Sequence, residues 1–422
     1  MVESLSNKQI GYLLRSYPRL SQTFILNEIL ALEKIGVSIQ IFALTNPHEK
    51  VVQMQVDQVQ APVHYLDESI QSRRFGNMLK EHMEVSMRHF TGYFRSLLYV
   101  VMHPVIDQGY TASSRWECFH QAVHLIHVLR VQERETGKKI DHLHAHFAHD
   151  PTLIAYLANL MTGLPYSFTA HARDLYQIPE QILTDRIRTS QGVITCCRVN
   201  MDYLNQVAPS EQSKFSLIYH GVNLDDFRAS SSNGANSTSE VPIILSVGRL
   251  VEKKGFLDLL QALLMVKEGG LQFQCTIYGG GPLSEKLEQW IEEHDMADDV
   301  RLMGDITQQE LISIYQNATI FALTPMQTED GDRDGIPNVL VEAMAVGLPV
   351  VTTAVAGIPE LVDDNLNGLL YQPHDVNGIS SGILELLRDA EKRRQLGNAG
   401  AKKVNEQFDI ALAANRLQNL FA

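Results

Sequence analysis

A chain of 422 residues has room for two or three domains, each with its own core. With 45% hydrophobic and 20% charged residues it has the composition of a globular enzyme, and no run of about 18 uncharged apolar residues is present to span a bilayer. The formal charge of −14 comes from the second half: residues 1–220 balance 20 basic against 20 acidic side chains, whereas 221–422 carry 15 against 29, which argues against a nucleic-acid partner, whose phosphate backbone needs a basic face.

Residues 10–14 read as a first strand. The loop RSYPRLSQ follows, then a helix over 23–35 that Gly36 ends, then a strand over 37–43. This order marks a parallel α/β sheet with right-handed crossovers, and ligands of such sheets sit outside the carboxyl ends of the strands. Residues 17–22 belong at that edge. Residues 71–104 are of another kind: Arg73, Arg74, Lys80, Arg88 and Arg95 alternate with aromatics and methionines at helical spacing. Such a stretch either lies on an anionic membrane surface or packs an apolar stripe into a core. Over 140–147, IDHLHAHF puts His142, His144 and His146 on one face of a strand, read as polar groups turned to the cleft. Ligands spaced i, i+2 on one strand seldom enclose a metal, so no metal site is expected there.

A strand over 166–170 delivers His171 at its carboxyl end, with Arg173 and Asp174 just beyond. Strands over 193–197 and 216–219 follow. The small, polar run 229–240, ASSSNGANSTSE, is the clearest linker. The expected division is a first domain over 1–220, a linker over 221–240 and a second domain over 241–405. After the linker, the strand 243–247 runs into GRLVEKKG and a helix over 256–266. Arg249 and Lys254 bracket that turn; two cations there suit a diphosphate, Arg as a two-pronged donor and Lys as a point charge. The later run GGGP lacks the G-x-G-x-x-G spacing, which leaves a nicotinamide dehydrogenase poorly supported.

The densest signal is 320–351. A buried strand over 320–323 exits through Pro325 into an acidic loop with Glu329, Asp330, Asp332 and Asp334. Pro337 suits a first helical position, where its missing N–H is no loss. The helix runs over 338–346, and Gly347 and Pro349 end it. Its start offers free N–H groups and a positive dipole end to a phosphate. Asp334 and Glu342 flank that start, so the implied ligand carries phosphate and hydroxyl groups together. The acidic residues also mimic the opening of a calcium loop, but Val341 stands where that loop needs Glu.

The pattern acidic–Gly–x–Pro–x–x–x–x–Glu, from Asp334 to Glu342, followed by AMAVGLPVV, resembles the retaining glycosyltransferases of family 4. The opening YPRLSQTFILNEILALE and the acidic insert resemble more narrowly those of exopolysaccharide assembly, such as the colanic acid type. The resemblance implies the GT-B architecture: an α/β fold of two Rossmann-like domains facing across a cleft, with residues 406–422 packing back on the first. It implies a nucleoside diphosphate sugar donor, UDP- or GDP-linked, and a saccharide or lipid-linked saccharide acceptor. No cofactor or metal is implied. Arg249, Lys254 and the helix start at Pro337, Asn338 and Val339 would hold the diphosphate, and Glu342 the ribose. Asp334, helped by the backbone of Gly335 and Ile336, would hold the donor sugar. His171 would touch that sugar from the first domain, with Asp174 orienting it or touching sugar itself. Ser21 and Thr23 would face the donor phosphate or the acceptor. With no evident covalent nucleophile, attack on the face that the phosphate leaves is favoured, the phosphate taking the acceptor's proton. The implied location is the cytoplasm, peripheral to the inner face of the membrane if 71–104 touches lipid. A sugar-nucleotide epimerase of the same fold and a non-catalytic nucleotide-sugar binder are the competing readings.

Overall fold

The computed structural model describes residues 8–67, 75–107, 111–229 and 241–421. Two parallel sheets organise them. The first has seven strands in the order β3-β2-β1-β4-β5-β6-β7: β1 Gln9–Ser16, β2 Ser38–Thr45, β3 Val63–Tyr65, β4 His142–His146, β5 Tyr166–Ala170, β6 Gly192–Thr195 and β7 Phe215–Leu217. The second has six, in the order β10-β9-β8-β11-β12-β13: β8 Ile243–Val247, β9 Gln274–Tyr278, β10 Val300–Gly304, β11 Ile320–Ala322, β12 Val350–Thr353 and β13 Leu369–Tyr371. Every strand pairing is parallel, as helical crossovers require. In each sheet the order reverses beside the first strand, between β1 and β4 and between β8 and β11. Those two crevices are where such sheets take ligands.

Each sheet has its own buried core. The crossing between them is tighter than the sequence reading of 221–240 as a linker. Val222, Leu224 and Phe227 are buried with the second sheet's core. Val222 also exchanges backbone hydrogen bonds with Phe408 and Ile410 (3.0 and 3.1 Å), tying the outgoing crossing to the returning one. The polar run 230–240 lies outside the described residues. The last helix, Ile410–Phe421, packs against the helix Thr23–Lys34, and Phe421 lies against Tyr12, His142 and His144.

That helix corrects the reading of the histidine strand. His142, His144 and His146 do share a face, but it is an interior face, covered by residues some 270 positions later. Serine and threonine of the next strand satisfy two of them: His142 and His144 meet Ser167 Oγ (2.7 and 2.9 Å), and His144 also meets Thr169 Oγ1 (3.0 Å).

Of the stretch 71–104, residues 71–74 lie outside the described residues; the rest forms two helices, Phe75–Arg88 and Phe90–Met102. Their inner faces pack on the long helix Arg115–Thr136 and on Asp150–Thr162. Their outer faces leave Leu79, Met83, Met87, Phe90, Phe94, Leu98, Val101 and Met102 exposed. Among the described residues, no helix is long and apolar enough to cross a membrane.

Candidate functional site

A cleft of about 630 Å³ lies between the carboxyl edges of the two sheets, lined by both. Every candidate named from the sequence is on its wall: Ser21, Thr23, His171, Asp174, Arg249, Lys254, Asp334 to Val339 and Glu342. What they do there differs in part from the reading.

On the second sheet's side, β8 ends at Gly248 and Arg249. Arg249 is exposed to the cleft and has no ion-pair partner among the described residues. The turn that follows brings Lys253 and Lys254 round together. Gly255 closes it at φ +68°, a conformation that costs glycine nothing. A Cβ there would stand 1.8 Å from the Thr324 carbonyl oxygen, while the Thr324 hydroxyl donates to the Gly255 oxygen (2.7 Å). Thr324 follows β11, so the end of one central strand clamps the lysine turn of the other.

Lys254 Nζ sits 2.6 Å from Asp334 Oδ2, and Lys253 Nζ 3.3 Å from Asp334 Oδ1 and 3.1 Å from Asp332. Burial alone would push the Asp334 carboxyl up; the two ammoniums override it and hold the group at about 2. The sequence assigns Lys254 to phosphate and Asp334 to sugar hydroxyls; with no ligand in place the two pair with one another. Lys253 went unnoticed, although the doubled lysine of EKKG marked the turn.

The helix behind this cluster is Asn338–Ala345. Pro337 is its cap, at φ −64° and ψ 124°, rather than its first helical residue. The first N–H to close a turn is that of Leu340, onto Pro337 O (3.0 Å), so the amides ahead of it face the cleft as helix-start donors. Gly335 packs close to the first domain: a Cβ would meet Cys196 Sγ at 3.1 Å and His171 O at 3.5 Å.

Glu342 also departs from expectation. It is 2% exposed, and its oxygens accept from Gln308 Nε2 (2.5 Å) and Tyr315 OH (3.0 Å) rather than standing open for ribose. Burial pushes its carboxyl up, against those two donors. A carboxylate has further lone-pair sites, so an edge can still receive a hydroxyl. Gln308 was not foreseen; its backbone N–H also donates to Gln53 Oε1 (2.8 Å) of the first domain.

On the first sheet's side, His171 follows β5 and both its ring nitrogens are engaged. Nδ1 lies 3.0 Å from His220 Nε2 and Nε2 lies 3.3 Å from His146 Nδ1. Burial, then the neighbouring imidazoles, push His171 well below its usual range; burial likewise takes His220 down to about 4, so both rings are neutral. Asp174 does not orient the His171 ring. Its carboxylate caps backbone instead, accepting from the N–H groups of His171, Ala172 (2.9 Å) and Ala148 (2.8 Å). The sequence reading gave His220 no role.

Two trios, Glu28–His144–His146 and His171–Cys196–His220, bring ligand-type atoms within 4.8 Å of one another. Hydrogen bonds already engage these side chains, including Cys196 Sγ on His171 O (3.5 Å).

Across the cleft mouth the domains hold one another. Arg333 lies over the Tyr176 ring at 4.0 Å, and Glu360 accepts from Arg198 N (2.7 Å) and Tyr219 OH (2.8 Å).

Comparison with known proteins agrees with this architecture. A glycosyltransferase from Rickettsia africae superposes with a TM-score of 0.70 over 98% of both chains at 15% identity. Anabaena HepE, solved in complex with UDP, does so at 0.70 over 98% of both at 14% identity. These likenesses define the fold class, two Rossmann-like domains of the GT-B type. Residues 228–403 match the family described as Glycosyl transferases group 1, and residues 95–226 match Glycosyltransferase Family 4. Both matches are to glycosyltransferase families, and together with the fold they support a glycosyltransferase of the family-4 GT-B type. Among curated relatives, the amylovoran biosynthesis glycosyltransferase AmsK of Erwinia amylovora is 37% identical over 177 residues, 42% of this chain and 44% of that one. The putative colanic acid biosynthesis glycosyltransferase WcaL of Escherichia coli K12 is 34% identical over 178 residues, again 42% and 44%. The matched stretch thus spans under half the length of each relative.

The buried Glu342 carboxyl sets a pH test. Its folded pKa is raised, so the native state binds the extra proton, and stability is lost as pH rises from the ordinary carboxyl range through the folded value. Glu342→Gln removes that loss. Urea unfolding of the ligand-free proteins will show the variant gaining on wild type between pH 4.5 and pH 7; a pH-independent difference would contradict the assignment.

Proposed function

We propose that the chain is an enzyme that transfers a sugar from a nucleoside diphosphate sugar to a hydroxyl of a saccharide or lipid-linked saccharide, in exopolysaccharide assembly and with retention of configuration. The observation that carries this is the cation cluster of Arg249, Lys253 and Lys254 facing the start of the helix Asn338–Ala345 at the second sheet's switch point. HepE was solved with UDP and with UDP-glucose, and a Mycobacterium tuberculosis relative, 31% identical over 195 residues, is named for GDP-mannose; both donors are therefore tried below.

The diphosphate enters by exchange. Its oxygens replace Asp334 as the partners of Lys254, Arg249 closes on them as a two-pronged donor, and the amides ahead of Leu340 complete the anion site. Displaced from the lysine, Asp334 becomes an acceptor for the sugar's hydroxyls, and Glu342 offers its remaining edge to the ribose. Fixed cations and helix-start dipoles stabilise the charge of the departing diphosphate without having to reorganise, and no added cofactor or metal is invoked. Retention follows if the acceptor attacks from the side the diphosphate leaves; a trapped glycosyl–enzyme adduct would refute this.

The exposed apolar faces of the helices Phe75–Arg88 and Phe90–Met102 complete the proposal. Their exposed charges, Lys80, Arg88 and Arg95, are all basic on a chain of net charge −14. That combination suits an anionic lipid surface and a lipid-linked acceptor. Sedimentation with vesicles containing phosphatidylglycerol should carry the protein down. Met83→Glu with Phe90→Glu should abolish that without lowering thermal stability, and equal binding by the double variant would sink the idea.

Thermal unfolding with UDP, GDP, ADP or NAD tests the donor site. A ligand at ~100 times its dissociation constant adds roughly 2.7 kcal/mol. One nucleoside diphosphate should raise the unfolding temperature, and Arg249→Ala should remove the shift. No shift from any diphosphate, or one from NAD alone, would overturn the proposal.

A further inference from the structure

A continuous row of hydrogen bonds runs from the interior of the first domain to the cleft. Tyr12 OH donates to Glu28 Oε1 (2.9 Å), and His146 Nε2 lies 3.0 Å from the same oxygen. His146 Nδ1 faces His171 Nε2 at 3.3 Å, and His171 Nδ1 faces His220 Nε2 at 3.0 Å. Successive rings are nearly coplanar in tilt, 21° and 22° apart, with centroids 5.4 and 5.0 Å apart. Glu28 is 4% exposed, and among the described residues no lysine or arginine pairs with it.

The chemistry fixes the direction of the row. An ionised carboxylate only accepts, so His146 Nε2 carries the hydrogen that points at Glu28. With His146 taken as the neutral ring, its other nitrogen is an acceptor, and His146 Nδ1 receives Nε2–H of His171. His171 Nδ1 in turn receives Nε2–H of His220. One buried carboxylate thereby sets the tautomer of three histidines. What remains is His220 Nδ1, an acceptor on a residue that lines the cleft, with no protein partner among the described residues. Phe24 packs on the His220 ring at 4.6 Å and on that of His171 at 4.9 Å, holding both in register.

We propose that His220 is the cleft end of a proton relay. Its Nδ1 accepts the hydrogen bond of the attacking hydroxyl, and Glu28, His146 and His171 are positioning residues behind it. The proposal rests on the transferase reading above. When the hydroxyl attacks, its O–H bond breaks and Nδ1–H forms, and the oxygen keeps the electron pair that makes the new bond to the sugar carbon. The diphosphate leaves with the pair of the broken bond. His220 passes Nε2–H to His171 Nδ1, and His171 passes its own to His146 Nδ1. The added positive charge ends on His146, against the Glu28 carboxylate and away from the cleft. The relay thus gives the proton a destination other than the leaving phosphate. It also accounts for three buried imidazoles in a row.

Two measurements test this, one of which needs no substrate. In protein labelled with 15N-histidine, two-bond nitrogen–proton correlations at pH 7 should show His146, His171 and His220 as neutral Nε2–H tautomers. Glu28→Gln should mix or reverse the tautomer of His146. A neutral Nδ1–H tautomer at His220 would overturn the proposal. The second is slow hydrolysis of UDP-glucose or GDP-mannose, with water as the acceptor. His220→Ala should lower kcat by about 10²-fold or more, the usual range for a proton acceptor, with KM and UDP or GDP binding within about twofold of wild type. An unchanged kcat would overturn the catalytic part even if the tautomers are as stated. If neither nucleotide binds, the donor reading fails separately, and the spectra still decide the relay. His220→Ala lies at the cleft edge and guards against a Glu28→Gln variant that does not fold.

Discussion

The second domain turns on one half-buried ion cluster, Asp334 held between the ammonium groups of Lys253 and Lys254. Taking three charges out of water costs more than their attraction commonly returns, so such a cluster is a poor device for stability alone. Its surroundings are built to hold it nonetheless. Gly255 permits the turn, Thr324 fastens it from the neighbouring strand, and Asp332 takes the second valence of Lys253. The cluster keeps an anion site charged and ordered with no ligand in place. On the proposed reading, an entering diphosphate would inherit cations already oriented, and the displaced carboxylate would remain beside the sugar that arrives with it. Arg249, exposed and without an ion-pair partner among the described residues, would supply the charge that the exchange leaves uncompensated.

The first domain answers with an opposite device. There a buried carboxylate is met by the Tyr12 hydroxyl and by His146, and a row of hydrogen-bonded imidazoles runs from it to the cleft. The two devices meet because the domains are pinned close together. Gly335 lets its loop pack tightly against Cys196 and the His171 strand end, and Gln53, Glu360 and Arg333 each bridge the cleft by a specific contact.

Much of this was open to reading in the chain. The strands of both sheets are short apolar runs bounded by turn residues, so their alternation with helices survives without knowledge of tertiary contacts. The second-domain wall of the cleft was visible because its parts are local: Arg249 to Lys254, and Asp334 to Glu342. What failed to show was every feature set by partners far along the chain. Period-two spacing placed His142, His144 and His146 on one face, yet only the helix Ile410–Phe421 decides that the face is interior. Glu342 looked open because Tyr315 and Gln308, 27 and 34 residues earlier, gave no local sign of reaching it. Asp334 looked free because Lys254 is 80 positions away. His220 gave no sign of itself because its neighbours His171 and His146, and the Glu28 carboxylate behind them, lie far from it along the chain.

The most direct test of the ion exchange is a crystal structure with the nucleoside diphosphate that binds most tightly. The account predicts the β-phosphate on Lys254 and Arg249, the α-phosphate or β-phosphate on the amides at Asn338 and Val339, and Asp334 more than about 4 Å from Lys254, beyond ion-pair range. A nucleotide bound elsewhere, or bound here with the Lys254–Asp334 pair intact, would contradict it.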